Sequence, residues 1–489
     1  MMGVHQPQVQ LFSYQVNLDE RVRGDHPLRR VAAHIDFSFI RAEVASVYGY
    51  NGQVSVDPVI LLKLMFLLFW DDVASERELM SMLPERLDYL WFLGYGLDDQ
   101  IPNHSVLSKA RKRWGKGAFE KFFTRTITQC VQAGLVDGRK LHVDSSLIDA
   151  NASKDSVVRS CPELIAALKE AYQAQESKLE NSATPDSYES VNDRLMSTTD
   201  PDAAIARKGG EPARPRYHHH RAVDDAHGVI TAVETTPGSI AENKKLLPLI
   251  EQHEANTEAK VEVAVADHKY GTSENYIVCQ QKDIRTHMGD VLSQQKKQDN
   301  GIFPDKDFKY QPQKDTYLCP GGKELVARRL NATRRTMEYY VPGRACLKCS
   351  LREQCTRSKT GRTLQRHENQ ELLDKAREQA HSDQAKRDRK RRQILIEGSF
   401  ADAANNHGFK RSRWRRLSRQ QIQDWLIAAI QNVRTLLKAT KKKSSGAVAL
   451  IAGVFASKMG FCGLRSVLYT YWAISTGLEL ANQPLAFCD

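Results

Sequence analysis

Between residues 20 and 125 apolar positions recur at helical spacing. LLKLMFLLFW is a compact apolar run and predicts a buried helix. ASERELMSMLPERLDYLWFLGYG follows, with Ser75 and Glu78 spelling a Ser-x-x-Glu capping box ahead of an apolar-periodic segment. A turn at LDDQIPNHS leads into SVLSKARKRWGKGAFEKFF, with Ser105 as the expected cap. From Gly138 the period changes. RKLHVDSSLID reads as a strand with Leu141, Val143 and Ser145 on one face and His142 and Asp144 on the other. A polar stretch over 151–214 opens with a helical pattern, CPELIAALKEAYQAQESKLE, and continues as a long excursion. YHHHRAVDD, a turn at AHG and VITAVETTPG predict a hairpin. Glu242 to Glu254 then reads as an amphipathic helix with Leu246, Leu247, Leu249 and Ile250 on its apolar side. KVEVAVADHKYG is a strand running into Asp267, TSENYIVCQQKD a helix and IRTHMG a last short strand. Strands in this order, interleaved with helices, predict a mixed sheet flanked by helices. A cysteine-bearing region lies at 300–365 and a highly charged helical stretch at 366–395.

Composition adds scale and a charge bias. The chain has 489 residues, 41 % apolar and 27 % charged, which is ordinary for a folded protein of about three domains. Lys and Arg number 71 against 59 Asp and Glu, a net charge of +12 with a pI near 9.1, and this excess favours a polyanionic partner. The longest apolar runs, Val59–Trp70 and Gly446–Ser457, fall short of the roughly 20 residues that span a bilayer. The start MMGVHQPQVQLFSYQ has neither the basic nor the apolar part of a signal peptide. A cytoplasmic protein without a membrane role is expected, its nine cysteines thiols or metal ligands rather than disulfides.

Three acids carry candidate chemistry: Asp144 on the first strand, Asp267 at the end of VEVAVAD, and Glu397 in RRQILIEGSF. Buried carboxylates are costly unless paired or bound to cations, and converging ones suit Mg²⁺, which takes carboxylates, waters and substrate phosphates. Asp267 reads equally as a turn or helix-cap residue from pattern alone. Cys319, Cys346, Cys349 and Cys355 follow C-x26-C-x2-C-x5-C, a set suited to a tetrahedral structural Zn²⁺. In YHHHR, His218 and His220 share one strand face and His219 the other, which speaks against a metal site there.

Two basic clusters are candidates for DNA contact. Lys109, Arg111, Lys112 and Arg113 sit on the second of two helices joined by a short turn, an arrangement resembling a DNA-reading unit. Lys410, Arg411, Arg413, Arg415 and Arg416 surround Trp414, pairing phosphate-neutralising charge with an aromatic that stacks on bases or packs into the core.

HVDSSLIDANAS, VAVADHKYGTSENY and ILIEGSFADAANNHGFKRSRWRRL together resemble the three motif regions of DDE transposases from bacterial insertion sequences. SERELMSMLPERLDYLWFLGYG with IPNHSVLSKARKRW resembles the N-terminal domain of that group, and CPGG…CLKCSLREQC its cysteine segment. The resemblance spans about residues 20 to 440 in consistent order. It implies an RNase H-like core within an α+β or α/β chain, and Asp144, Asp267 and Glu397 as a Mg²⁺- or Mn²⁺-binding triad, with Asp149 the nearest rival for the first acid. It also implies cleavage at element ends followed by attack of a 3′-hydroxyl on target DNA. The double-stranded DNA of ends and target is the implied partner, a homodimer on paired ends the implied assembly, and a bacterial nucleoid-associated location follows. Relatives often carry a Tyr and an Arg before the Glu and a Lys seven residues after it; here Lys390, Gln393 and Ala404 stand there, with Arg391, Arg392 and Lys410 nearby as substitute phosphate contacts. Ser145-Ser146 replaces the Gly-Thr that relatives tend to carry after the first Asp.

The resulting organisation is a helical DNA-binding domain at 1–135, a first part of the catalytic core at 136–300 with its insertion at 151–214, a cysteine-rich insertion at 301–365, the final core helices at 366–440 and a tail at 441–489 of no assigned role. An alternative is a DNA-binding repressor of the same element without catalysis, and a third reading is a nuclease that does not join ends.

Overall fold

The computed structural model describes residues 16–49, 55–159, 195–289, 301–343 and 345–458, with 163, 167 and 170. The helical pattern expected from Cys161 onward and most of the tail lie outside the described residues. The N-terminal part is helical: α1 (Pro27–His34), α2 (Pro58–Trp70), α3 (Glu76–Met82), α4 (Leu87–Leu93), α5 (Ser105–Trp114) and α6 (Gly117–Gln132). Helix α2 begins where Asp57 accepts the Val59 N–H and Pro58 takes the first turn, and it is apolar on every side because other elements surround it. Ser75 caps α3 as its motif demands, accepting the Glu78 N–H at 3.1 Å. At α5 the expected cap is corrected by two residues: Asn103, not Ser105, accepts the first free N–H, that of Ser105 at 2.9 Å.

The pattern change at Gly138 marks a mixed sheet of β1 (Lys140–Asp149), β2 (Arg214–Asp224), β3 (Ile230–Pro237), β4 (Val263–Val265) and β5 (Arg285–His287). β2 runs antiparallel to β1 with Arg221 opposite Asp144, and β3 antiparallel to β2; β4 lies parallel to β1 on its other side and β5 parallel to β4. The polar excursion returns as a short strand, Ala204–Ala206, along the start of β2. This is the RNase H-like mixed sheet with flanking helices, joined to an all-helical N-terminal part. α7 (Leu246–Thr257) and α8 (Ser273–Gln281) bury Leu246, Leu249, Ile250 and Tyr276 with Leu141 and Val143 of β1.

A separate antiparallel meander follows: β6 (Lys309–Gln311), β7 (Thr316–Leu318), β8 (Glu324–Asn331), β9 (Thr336–Tyr340) and β10 (Thr363–His367), with its own small core of Phe308, Leu325, Tyr339 and Leu364. The charged stretch after it is two helices, α9 (Gln370–His381) and α10 (Asp383–Arg392), divided at Ser382, whose hydroxyl accepts the Ala385 N–H. α11 (Gly398–Asn406) and the long α12 (Leu417–Lys458) complete the described chain. α12 packs on the sheet and on α2 and α6, and Leu426, Ile427, Ile430 and Val433 share one core with Phe66, Phe119 and Phe123. Among the described residues no helix is long and apolar enough to cross a membrane.

Candidate active site

Asp144 lies in the middle of β1, at a place set by a difference in strand length. β4 pairs with β1 only as far as Val265 opposite His142, so the edge of β1 is open beyond that point. Continuing the same register by two residues sets Asp267 beside Asp144. Asp144 Oδ1 accepts the Ser145 N–H at 2.8 Å, and Oδ2 accepts from the Arg392 guanidinium at the end of α10. Asp267 caps a single helical turn, its Oδ1 accepting the His268 N–H at 2.7 Å and lying 2.8 Å from His268 Nδ1. The cap reading and the site reading of this residue are thus both satisfied at once.

The two carboxylates are driven in opposite directions. Burial pushes Asp144 above the usual carboxylate range, the charge of Asp267 adding to it, and Arg392 only partly offsets this. Asp267 also feels burial upward, but the hydrogen bonds from His268, with the charges of His268 and Arg392, outweigh it and hold this acid low.

Glu397 ends a π-helical turn, Gln393–Glu397, between α10 and α11, and is exposed. The structure brings Asp144 and Asp267 together with Arg392, and leaves Glu397 on the adjoining turn. A π turn takes one more residue per turn than an α turn, so the residue five before Glu397 occupies the face that the residue four before would otherwise hold. Arg392 is accordingly buried and bonded to Asp144, while Gln393 faces solvent. The one-residue offset noted in the sequence is absorbed by this turn. Among the described residues no three His, Cys, Asp or Glu side chains stand grouped as ready metal ligands.

The basic residues divide by environment. Arg111 is buried, ion-paired with Glu76 and stacked at 3.9 Å over the Trp414 ring, which in turn packs edge-on against Phe69. Arg413 pairs with Asp72 and donates to the Leu68 carbonyl. Arg416 is buried beside Asp202, its backbone N–H on Asp200. These four belong to internal contacts, which corrects their expected role in facing DNA. Lys109, Arg113, Arg391, Lys410, Arg411 and Arg415 are exposed and Lys112 half-buried, with Arg391 paired to Asp225 and Lys410 donating to the Ser146 hydroxyl at 2.8 Å. Asp149, the rival first acid, is paired with Arg216 at 2.7 Å.

The four cysteines of the meander segment line one small cavity with Phe303, Phe308, Leu325 and Val341. The Lys323 N–H points at Cys319 Sγ at 3.2 Å. Gly361 leaves room beside Cys346, where a Cβ would come within 3.2 Å of Sγ, and at Gly321 a Cβ would meet Cys349 Sγ at 3.4 Å. Burial and the other three thiols push the Cys355 thiol up.

Side chains around the aspartates that pattern reading passed over are Ser145, Glu242, Lys269 and Tyr270. Ser145 and Lys269 follow the aspartates so closely that their place was readable, whereas Glu242 reaches them only through the crossover after β3.

Residues 16–113 match a family model described as a transposase domain (DUF772), and residues 318–437 one described as a transposase DDE domain. The chain carries the domains of a DDE transposase. The DDE match includes the cysteine segment, Arg392 and Glu397, whereas Asp144 and Asp267 lie between the two matches. No curated protein matches the sequence. Among solved structures, the Mos1 transposase paired-end complex with left transposon end matches at 10 % identity and a TM-score of 0.16, over 51 % of this chain and 64 % of that one. So low a score establishes no common fold.

Proposed function

We propose that the chain is a metal-dependent DNA transposase that cleaves element ends and transfers them to target DNA. The observation that carries this reading is the placement of Asp144 and Asp267 side by side on the open edge of β1, with Arg392 against them. Carboxylate oxygens are the donors Mg²⁺ or Mn²⁺ prefers, and the mutual charge of the pair favours a divalent cation. Asp144 and Asp267 would hold it, with Glu397 as the third acid. The bound ion would activate the attacking oxygen and stabilise the leaving one in phosphoryl transfer. Water first cleaves a phosphodiester at the element end, leaving a 3′-hydroxyl; that hydroxyl then attacks a target phosphorus, and the bridging 3′-oxygen there departs.

The protein's own groups position and neutralise. Arg392 orients Asp144, and Lys410, fixed on Ser146, sets a cation two residues along the same strand. Lys109, Lys112, Arg113, Arg391, Arg411 and Arg415 supply phosphate contacts to double-stranded DNA. The assembly would be a homodimer on paired ends, working in the bacterial cytoplasm at the nucleoid. The organisation into a helical DNA-binding part, a divided catalytic core and a cysteine-rich insertion is part of the same proposal. So is a structural Zn²⁺ on Cys319, Cys346, Cys349 and Cys355, supported by the shared cavity, the N–H directed at Cys319 and the glycines beside the sulfurs.

The test is cleavage of DNA carrying the regions that flank this reading frame, with Mg²⁺ or Mn²⁺, beside Asp267→Asn. Metal-dependent cuts at defined ends, lost in the variant, are expected, and joined products separate a transposase from a nuclease. The exposed position of Glu397, on the turn beside the aspartates, is the one observation that favours a repressor without catalysis. Equal DNA binding by both proteins without cuts would decide for it.

A further inference from the structure

Glu242 opens the short turn Glu242–Lys245 between β3 and α7, and its side chain is 14 % exposed. Its Oε2 accepts the Ser145 hydroxyl at 2.7 Å, and its Oε1 lies 2.8 Å from the Lys269 ammonium. Ser145 follows Asp144 directly and Lys269 follows Asp267 by two, so each aspartate-bearing segment sends a neighbouring side chain to the same carboxylate. Ser145 and Asp144 leave opposite faces of β1, but the strand edge is open at this level, and groups from the two faces meet around it. The Lys269 ammonium is accordingly held charged by Glu242 first, with Asp267 and Asp144 adding to it.

A second, independent feature points into the same place. Tyr270 is fully buried, its hydroxyl makes no hydrogen bond, and it sits in the field of both Glu242 and Asp144. A buried hydroxyl without a partner is costly, and such groups in native proteins are satisfied by a bound oxygen, whether of water or ligand. Three carboxylates (Asp144, Asp267 and Glu242) here face two side-chain cations (Arg392 and Lys269), of which Lys269 is long, flexible and 61 % exposed.

We propose that Glu242 is a fourth carboxylate of the candidate active site, a ligand to its divalent cation alongside Asp144, with Lys269 as the counter-ion that yields when the cation binds. The Tyr270 hydroxyl then donates to an oxygen of the cation's coordination shell. This rests on the reading of Asp144 and Asp267 as a metal site. Both Glu242→Gln, which keeps shape and removes charge, and Lys269→Met, which removes the competitor, bear on it.

The experiment is Mn²⁺ binding to the full chain by titration calorimetry, in the absence of DNA, with folding followed by thermal melting. Mn²⁺ suits because it prefers oxygen to thiolate donors. Glu242→Gln should weaken binding by about tenfold or more, and Lys269→Met should tighten it several-fold. Unchanged affinity in Glu242→Gln, with binding lost in Asp267→Asn, overturns the role of Glu242 and leaves the aspartate pair standing. Unchanged affinity in Asp267→Asn as well overturns both. Should Glu242→Gln fail to fold, Lys269→Met decides, and no tightening counts against the proposal.

Discussion

Basic side chains that look alike in FKRSRWRRLSR have different fates at the level of single residues. Arg415 faces solvent, Arg413 reaches Asp72 on the far side of α2, and Arg416 adopts a left-handed φ of +84° while its own N–H and that of Leu417 bond the carboxylates of Asp200 and Asp202. Charge alone does not distinguish them; the presence of an acid on a neighbouring element does. The histidine run behaves likewise. His219 is wholly buried between Asp424 and Phe409, and burial pushes it down to about 4 despite the opposing charge of Asp424. An unfolded histidine titrates near 6.5, so the unfolded chain takes up a proton that the folded one refuses. Stability must therefore fall as pH drops from about 6.5 towards 4, by about 2 kcal/mol at pH 5 from this residue alone. Urea denaturation of wild type and His219→Gln at pH 7 and pH 5 measures it. The variant should lose less on acidification, and an equal loss would mean that His219 is not held neutral.

At the level of elements, two features depend on where side chains meet backbone. β3 is an edge strand, and edge strands leave N–H and C=O groups unpaired. Asn432 of α12 answers both groups of Ile230 at 2.8 Å, Gln421 receives the Thr235 N–H at 2.7 Å, and Gln252 of α7 receives that of Val233 at 2.9 Å. Asn432→Ala leaves a buried donor and acceptor bare and should cost about 2 kcal/mol, read as a lower denaturation midpoint with unchanged slope. The π turn is the second feature. If it sets the register of Arg392, then Arg392→Ala should weaken metal-dependent cleavage, and adding Gln393→Arg should not restore it. Restoration by the added arginine would mean that the helix follows an ordinary α register here.

The whole molecule does not divide where the sequence pattern changes. Helices on the N-terminal side of Gly138 and α12 on the C-terminal side of the DDE match fill one core, so the helical part and the sheet are expected to unfold together. The meander is different, with a small core of its own and four thiols around one cavity. A strong zinc chelator should therefore abolish a separate, low-temperature melting step and expose four titratable thiols there, leaving the main transition within a few degrees of its place. A single transition insensitive to chelator would count against a structural metal in this segment.

Periodicity determined the element types, because burial imposes its own period on each element: the capping box at Ser75, the hairpin from Tyr217, the strand into Asp267 and the apolar face of α7 are local consequences of chain chemistry. The order of strands and helices likewise determined a mixed sheet. The residues that resemble known transposase motifs picked out the two aspartates, whose adjacency comes from β1 and β4 being parallel neighbours of unequal length. Tertiary structure alone decided which basic residues are spent on internal acids, that Arg392 rather than Gln393 reaches Asp144, and that Glu242 joins the same site from a crossover. Each of these depends on contacts between segments distant in sequence, and such contacts leave no local period to read.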